Sequence, residues 1–304
     1  MKVFLTGATG YIGGTVAVRL REAGHQVVGL VRDSTKADAL AASGVEPVVG
    51  SLDDSELLTE QARRADGVIN AANSDHRAAV EALRAGLEGS GKPFVHTSGS
   101  GVVGDDARGE RNEQSYGDDI HDPGSAWQPE HPIRVARAAI HRVVLDSAEA
   151  GIRSSVLCPA MIYGHGLGAA RNEVHISALV EQARHSGVVR HAGAGRNIWS
   201  TVHVEDLADL YLLALERSPA GTFYFVENGE ESLKGLAASI AEALGLDGPE
   251  PWDIEAAGAF WGPQFTTGAL ASNSRVRTTR ARDILGWKPR HGSVTEWIAA
   301  DLTL

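Results

Sequence analysis

Met1-Lys-Val-Phe-Leu-Thr-Gly-Ala-Thr-Gly-Tyr-Ile-Gly-Gly14 opens the chain, and its reading decides the fold. Lys2 to Thr6 is an apolar run long enough for one buried strand. Gly7, Gly10 and Gly13 follow at three-residue spacing, and Thr15 to Ala23 reads as a helix with Val16, Val18 and Leu20 among its apolar positions. A strand, a glycine turn and a helix in that order form the context that dinucleotide binding requires. Gly7 permits a tight turn, Gly10 lets a diphosphate approach the backbone, and Gly13 lets helix and strand pack closely. The helix N-terminus offers free N–H groups to the phosphates. Gly7, Thr9, Gly10, Tyr11, Ile12 and Gly13 are therefore the predicted cofactor-binding residues of this stretch.

The rest of the composition is compatible with such a site. A chain of 304 residues can bury a large core. A net charge of −11, with no basic cluster large enough to offset it, argues against nonspecific nucleic-acid or anionic-membrane binding. The N-terminus shows no basic segment ahead of a long apolar stretch, and no run approaches the roughly 18 apolar residues of a membrane span. Cys158 is the only cysteine, so no disulfide forms within the chain. A cytoplasmic protein is the expectation, and no His pair has the context of a catalytic metal site.

The spacing in Thr6-Gly-Ala-Thr-Gly-Tyr-Ile-Gly-Gly14 resembles the extended short-chain dehydrogenase/reductase family, which includes sugar-nucleotide epimerases and dehydratases. The resemblance continues at Cys158-Pro-Ala-Met-Ile-Tyr-Gly164, at Val202-His-Val-Glu-Asp-Leu-Ala208 and at Leu285-Gly-Trp-Lys-Pro289. It implies an α/β fold with a Rossmann doubly wound parallel sheet. The nucleotide-binding part is expected over residues 1–165, with residues about 196–225 returning to it and a smaller substrate-binding region over 166–304. Alternating strand and helix patterns along the first half point the same way.

Gln26 to Val31 is the second strand. The residue after it meets the adenosine ribose in such folds, where Arg favours a 2′-phosphate and an acid favours the free hydroxyls. Arg32, with Ser34 and Lys36 nearby, predicts NADP(H) over NAD(H), with Asp33 as the opposing candidate and a solvated loop as the bland one. After the third strand, Glu46 to Val49, the family often places an acidic residue and then Leu beside the adenine. Here Ser51-Leu52 makes Leu52 the candidate, with Asp53 as a substitute or a helix cap. The resemblance puts Ala71, Ala72 and Asn73 over the cofactor after the fourth strand. It puts Pro159, Ala160 and Ile162 beside the nicotinamide.

The catalytic residues depart from the family. Its usual hydroxyl after the fifth strand falls on Gly99, with Ser98 and Ser100 on either side. Its Tyr and the Lys four residues later fall near Ile133 and Arg137, and no YxxxK occurs in the chain. Arg134, Arg137 and His141 share one helical face, and Arg137 could hold the ribose. An Arg, with a pKa above about 12, is no general acid at neutral pH. Candidate catalytic residues are therefore Ser98, Ser100, Tyr116 and Arg137, with His131 and Tyr163 as further donors. A plain amphipathic helix with a basic face is the alternative for the Arg residues. Tyr163 and Cys158 read as packed core residues, and His203 and Asp206 as structural. Arg275, Arg277, Arg280 and Arg282 form the one basic stretch, suited to salt bridges or to an anionic substrate.

These residues imply an NADP(H)-dependent oxidoreductase acting on a small organic carbonyl, alcohol or imine. An epimerase, dehydratase or lyase that returns its hydride, and a cofactor-sensing binding protein, are the other classes the lost pair allows. The partner expected is a small-molecule substrate, without nucleic acid or membrane, and the resemblance allows a homodimer.

Overall fold

The computed structural model describes residues 1–302. Seven strands form one parallel sheet: β1 (Lys2–Thr6), β2 (Gln26–Val31), β3 (Glu46–Val49), β4 (Gly67–Asn70), β5 (Pro93–Thr97), β6 (Arg153–Pro159) and β7 (Thr222–Val226). Their order is β7-β6-β5-β4-β1-β2-β3, so the chain reverses direction across the sheet between β1 and β4. In a doubly wound sheet that reversal opens a crevice outside the carboxyl ends of the strands. The central strands read as continuous apolar runs because both faces are covered. Val3, Phe4 and Leu5 are fully buried, which stabilises the sheet by about 1.5–3 kcal/mol per side chain.

Helices α1 (Tyr11–Glu22), α2 (Ser34–Ala42), α3 (Ser55–Arg64), α4 (Arg77–Leu87), α5 (Pro132–Leu145), α6 (Val174–Ser186), α7 (Val204–Arg217) and α8 (Leu233–Leu244) follow in chain order. Leu58, Leu83 and Ile140 of α3, α4 and α5 pack with Phe4 and Phe94 on one face. Leu20, Leu40 and Tyr211 of α1, α2 and α7 pack with Leu5 and Val95 on the other. The period of two along β5 therefore sends His96 and Ser98 toward α5, and sends Thr97 toward α7, where it bonds Tyr211 at 2.6 Å. A third core around Tyr163, Leu179 and Leu236 holds the remaining elements. Among them is a three-stranded sheet of Glu230–Ser232, Ile198–His203 and Met161–Tyr163. No helix among the described residues is long and apolar enough to cross a membrane.

Two local readings change. Helix α1 starts at Tyr11, not Thr15, so Gly13 and Gly14 lie inside its first turn. Close packing overrides their poor helix propensity: a Cβ on Gly14 would sit 3.3 Å from the Cα of Gly168. Residues 34–36 are the start of α2 rather than a loop. Asp33 caps that helix by accepting the Thr35 N–H at 2.8 Å, which lowers the pKa of its carboxyl.

The segments Val202–Ala208 and Leu285–Pro289 prove to be partners. His203 caps α7 through the Glu205 N–H. Asp206, 1% exposed, lies in the first turn of α7. Its carboxylate accepts the N–H groups of Arg290 at 3.0 Å and His291 at 2.9 Å. Trp287 donates its indole N–H to the Asp206 carbonyl at 2.8 Å, and His291 stacks on His203 with ring centroids 3.7 Å apart.

Candidate active site

The glycine turn is shaped for a close backbone approach. Gly7 has φ +76, and a Cβ there would lie 2.5 Å from the Ala71 carbonyl oxygen, so the turns after β1 and β4 touch. Gly10 is the N-cap of α1 and makes no side-chain cap bond, which leaves first-turn N–H groups facing the crevice. Beside them is a cleft of about 280 Å³ lined by Gly10, Tyr11, Ile12, Ala71, Ala160, Ile162, Glu173, Val174 and His175. Three turns, those after β1, β4 and β6, therefore meet around one space. A bare cradle of glycine backbone and small side chains, with open helix N–H groups, fits a dinucleotide diphosphate and its adjoining ring.

The other cofactor candidates surround this cleft unevenly. Pro159 is buried as the last residue of β6. Ala72 and Asn73 are exposed, and the Asn73 side chain accepts the Asp75 N–H at 3.0 Å. Leu52 packs against the core beneath α3. Thr9 faces a separate apolar groove between α1 and α2, which Lys36 also lines. Arg32 is exposed at the end of β2. Asp53 accepts a bond from His76 at 3.0 Å, while Asp54 caps α3.

A second cavity, of about 690 Å³, lies at the N-terminal half of α5 and is lined by Asp75, Asp105, Arg134, Arg137 and Phe265 among others. Of the four catalytic candidates, Arg137 lines it. Its guanidinium is clamped by Asp75 in two hydrogen bonds of 2.8 and 2.6 Å, a fork that holds Arg137 charged and oriented. Ser98 is directed into the core, with its Oγ 2.6 Å from His141 Nε2. His141 Nδ1 in turn lies 2.9 Å from His121 Nε2. Ser100 is 1% exposed and accepts a bond from the Ser274 hydroxyl at 2.8 Å. Tyr116 is half-buried in a two-strand pairing with Val276–Arg277, and burial, then the Asp105 carboxylate, raise its pKa. Ser98, Ser100 and Tyr116 do not line this cavity.

Burial holds the histidine chain neutral. His121 is pushed down to about 4, chiefly by desolvation and then by Arg142. Desolvation drives fully buried His141 well below the usual imidazole range. Cys158 lies in the same layer, and burial pushes its thiol up to about 12, so it is an inert core residue at neutral pH.

A family model for the NAD dependent epimerase/dehydratase family matches residues 3–226. The chain belongs to that family. Among its relatives is the oxidase ucsJ of an Acremonium species, 34% identical over 95% of this chain and 92% of the relative. A ketoreductase of Stigmatella aurantiaca that acts on a farnesylated dihydroquinoline oxide is 26% identical over 92% of this chain and 85% of its own. The UDP-glucose 4-epimerase structure from Thermotoga maritima shares the fold at TM-score 0.76 and 20% identity, covering 98% of this chain and 96% of that one. The family binds NAD(P) and acts on small molecules.

Ile133, in the first turn of α5, is 41% exposed. All four Arg residues of the basic stretch are engaged. Arg275 pairs with Glu113 and Glu230, Arg277 with Glu230, Arg280 with Asp122, and Arg282 with Glu227. Glu173 and His175, which also line the crevice, escaped the sequence reading. An acid ahead of an amphipathic run is a helix-cap signal, and Glu173 does cap α6. No local pattern shows that the pair also lines the cleft beside Ala160.

Proposed function

We propose that this protein is an NADP(H)-dependent oxidoreductase that reduces or oxidises a small organic carbonyl, alcohol or imine. The observation that carries the reading is the convergence of the three turns on one cleft of small side chains and open helix N–H groups. When bound, the dinucleotide supplies or accepts a hydride at its nicotinamide ring. The chain's own residues bind and orient. Backbone N–H groups of α1 would hold the diphosphate, Ala160 and Ile162 would form the apolar wall for the ring, and Arg137, fixed by Asp75, would present positive charge to the ribose or substrate. The oxidase and ketoreductase among the relatives support redox chemistry. The pairing of Arg275, Arg277, Arg280 and Arg282 with carboxylates gives each of them a structural role, so none of the four adds support for a sugar-nucleotide substrate.

Arg32 supports NADP(H), because the neighbouring Asp33 is occupied as a helix cap. Arg32→Ala is expected to weaken NADPH binding about 10- to 100-fold, the loss of one or two charge-assisted bonds. NADH binding is expected to change little. Fluorescence titration with both cofactors checks this, and unchanged NADPH affinity would refute the assignment. The activity is tested by single turnover of protein loaded with NADPH against carbonyls, imines and sugar nucleotides, following absorbance and product mass together. Loss of NADPH matched to a reduced product is expected. A changed substrate with NADPH intact would move the reading to an isomerase or lyase.

A further inference from the structure

The family's proton donor is missing, and four of the five tyrosines are committed elsewhere. Tyr11 donates to the Gly164 carbonyl at 2.7 Å and Tyr163 to the His291 carbonyl at 3.2 Å. Tyr211 is bonded to Thr97, and Tyr224 to Ser218. Tyr116 lines neither the cleft nor the cavity. The cleft beside Ala160 and Ile162 contains one imidazole, that of His175.

His175 has the arrangement that acid–base work requires. Its Nδ1 lies 3.6 Å from a carboxylate oxygen of Glu173, close enough for an ion pair once the ring is protonated. Glu173 is itself 6% exposed and fixed. It accepts the backbone N–H groups of His175 and Ile176 at 2.5 Å and of Ser177 at 3.0 Å. The opposite nitrogen, Nε2, is buried and has no hydrogen-bond partner among the described residues. An unpaired buried polar atom is unfavourable, and a ligand that bonds it relieves that cost. The ring lines the cleft and packs beside one residue of the second cavity. Its centroid is 5.7 Å from the ring of Phe265, which lines the α5 cavity, and 5.5 Å from the ring of Trp199. The other charged or titratable groups at this cleft are Glu173 and Tyr11, whose phenol is raised by burial and by the Glu173 carboxylate.

We infer that His175, oriented by Glu173, is the catalytic proton donor and acceptor that replaces the missing tyrosine. The inference rests on the redox reading above. In the reducing direction the substrate carbon gains the hydride and becomes C–H. The π pair of the C=O or C=N bond moves to the heteroatom, which takes one proton from the His175 imidazolium. The substrate gains two electrons, the cofactor loses two, and solvent returns the proton to the imidazole. Glu173 stabilises the imidazolium before transfer, as an orienting carboxylate does for a general base.

Two measurements test this. In the first, histidine ring signals of the unmodified protein are followed by NMR with and without NADP⁺, the His175 signal being identified by its absence in His175→Gln. That signal is expected to shift on NADP⁺ addition. A signal indifferent to the cofactor would overturn the assignment without reference to turnover. In the second, His175→Gln, which keeps an N–H donor but cannot yield a proton, is compared with wild type on a substrate the wild type turns over. NADPH affinity within threefold of wild type, with the hydride-transfer step slowed about 10²- to 10⁴-fold, is expected. A chemical step within threefold of wild type would overturn the inference. Absence of any hydride transfer by the wild type would instead defeat the redox reading.

Discussion

Gly13→Ala is expected to abolish NADPH binding and to destabilise the fold. A Cβ on Gly13 would overlap the carbonyl oxygen of Gly7 and lie 2.7 Å from its carbonyl carbon. Both atoms are backbone, so no side chain can rotate to make room. Helix α1 must move away from the turn after β1, and it carries the open N–H groups that receive the diphosphate. Forced overpacking of this kind costs about 1–3 kcal/mol in stability. The loss in NADPH affinity is expected to exceed about 100-fold, because the phosphate-binding geometry is lost with the helix position. Gly248 has no atom within 4 Å of a built Cβ, so Gly248→Ala is the control. Thermal unfolding and NADPH fluorescence titration of the two variants check the difference. Equal affinities would mean that the diphosphate does not bind at this turn.

Acid is expected to unfold the protein well above the carboxylate range. His96, His121 and His203 are each held neutral in the fold and pushed down to about 4 from an ordinary value of 6.5, first of all by burial. His141 moves in the same direction. In the unfolded chain the same rings take up protons below pH 6.5, while the folded rings do not. Their neutral burial is therefore without cost above pH 6.5, and stability is lost progressively as pH falls toward about 4. Each group contributes up to about 1.4 kcal/mol per pH unit over that window. Several acting together can exhaust a typical stability of about 5–15 kcal/mol. Urea denaturation at pH 7.5, 6.5, 5.5 and 5.0 is expected to show a midpoint that is flat above pH 6.5 and falls steeply below it. A midpoint unchanged down to pH 5 would mean that these rings are not held neutral.

The sheet was legible in the sequence because a strand covered on both faces must be an apolar run, and Gln26–Val31 and Thr222–Val226 fall where those runs do. The cradle was legible for a similar reason: Gly7 at φ +76 and the crowding around Gly13 leave no alternative to glycine. The start of α1 was not, because two glycines read as helix breakers until Gly7 and Gly168 are packed against them. The neighbours of Ser98 and Ser100 were hidden by distance along the chain. Ser100 bonds a serine 174 positions away and Ser98 a histidine 43 away, and no spacing rule encodes such pairs. The salt-bridging role of Arg275–Arg282 was readable as chemistry, but its partners come from Glu113, Asp122, Glu227 and Glu230 in other elements. His175 was missed because its significance comes from the turn after β6 packing beside the start of α6, a relation that exists only in three dimensions.

The redox reading is tested most directly by following a deuterium label. NADPH carrying deuterium at C4 of the nicotinamide is mixed with the protein and the carbonyl and imine panel, and products are examined by mass and NMR. The expected result is one deuterium on the carbon that was double-bonded, with an equal quantity of oxidised cofactor. Product formed without the label, while the cofactor stays reduced, would contradict hydride transfer to substrate.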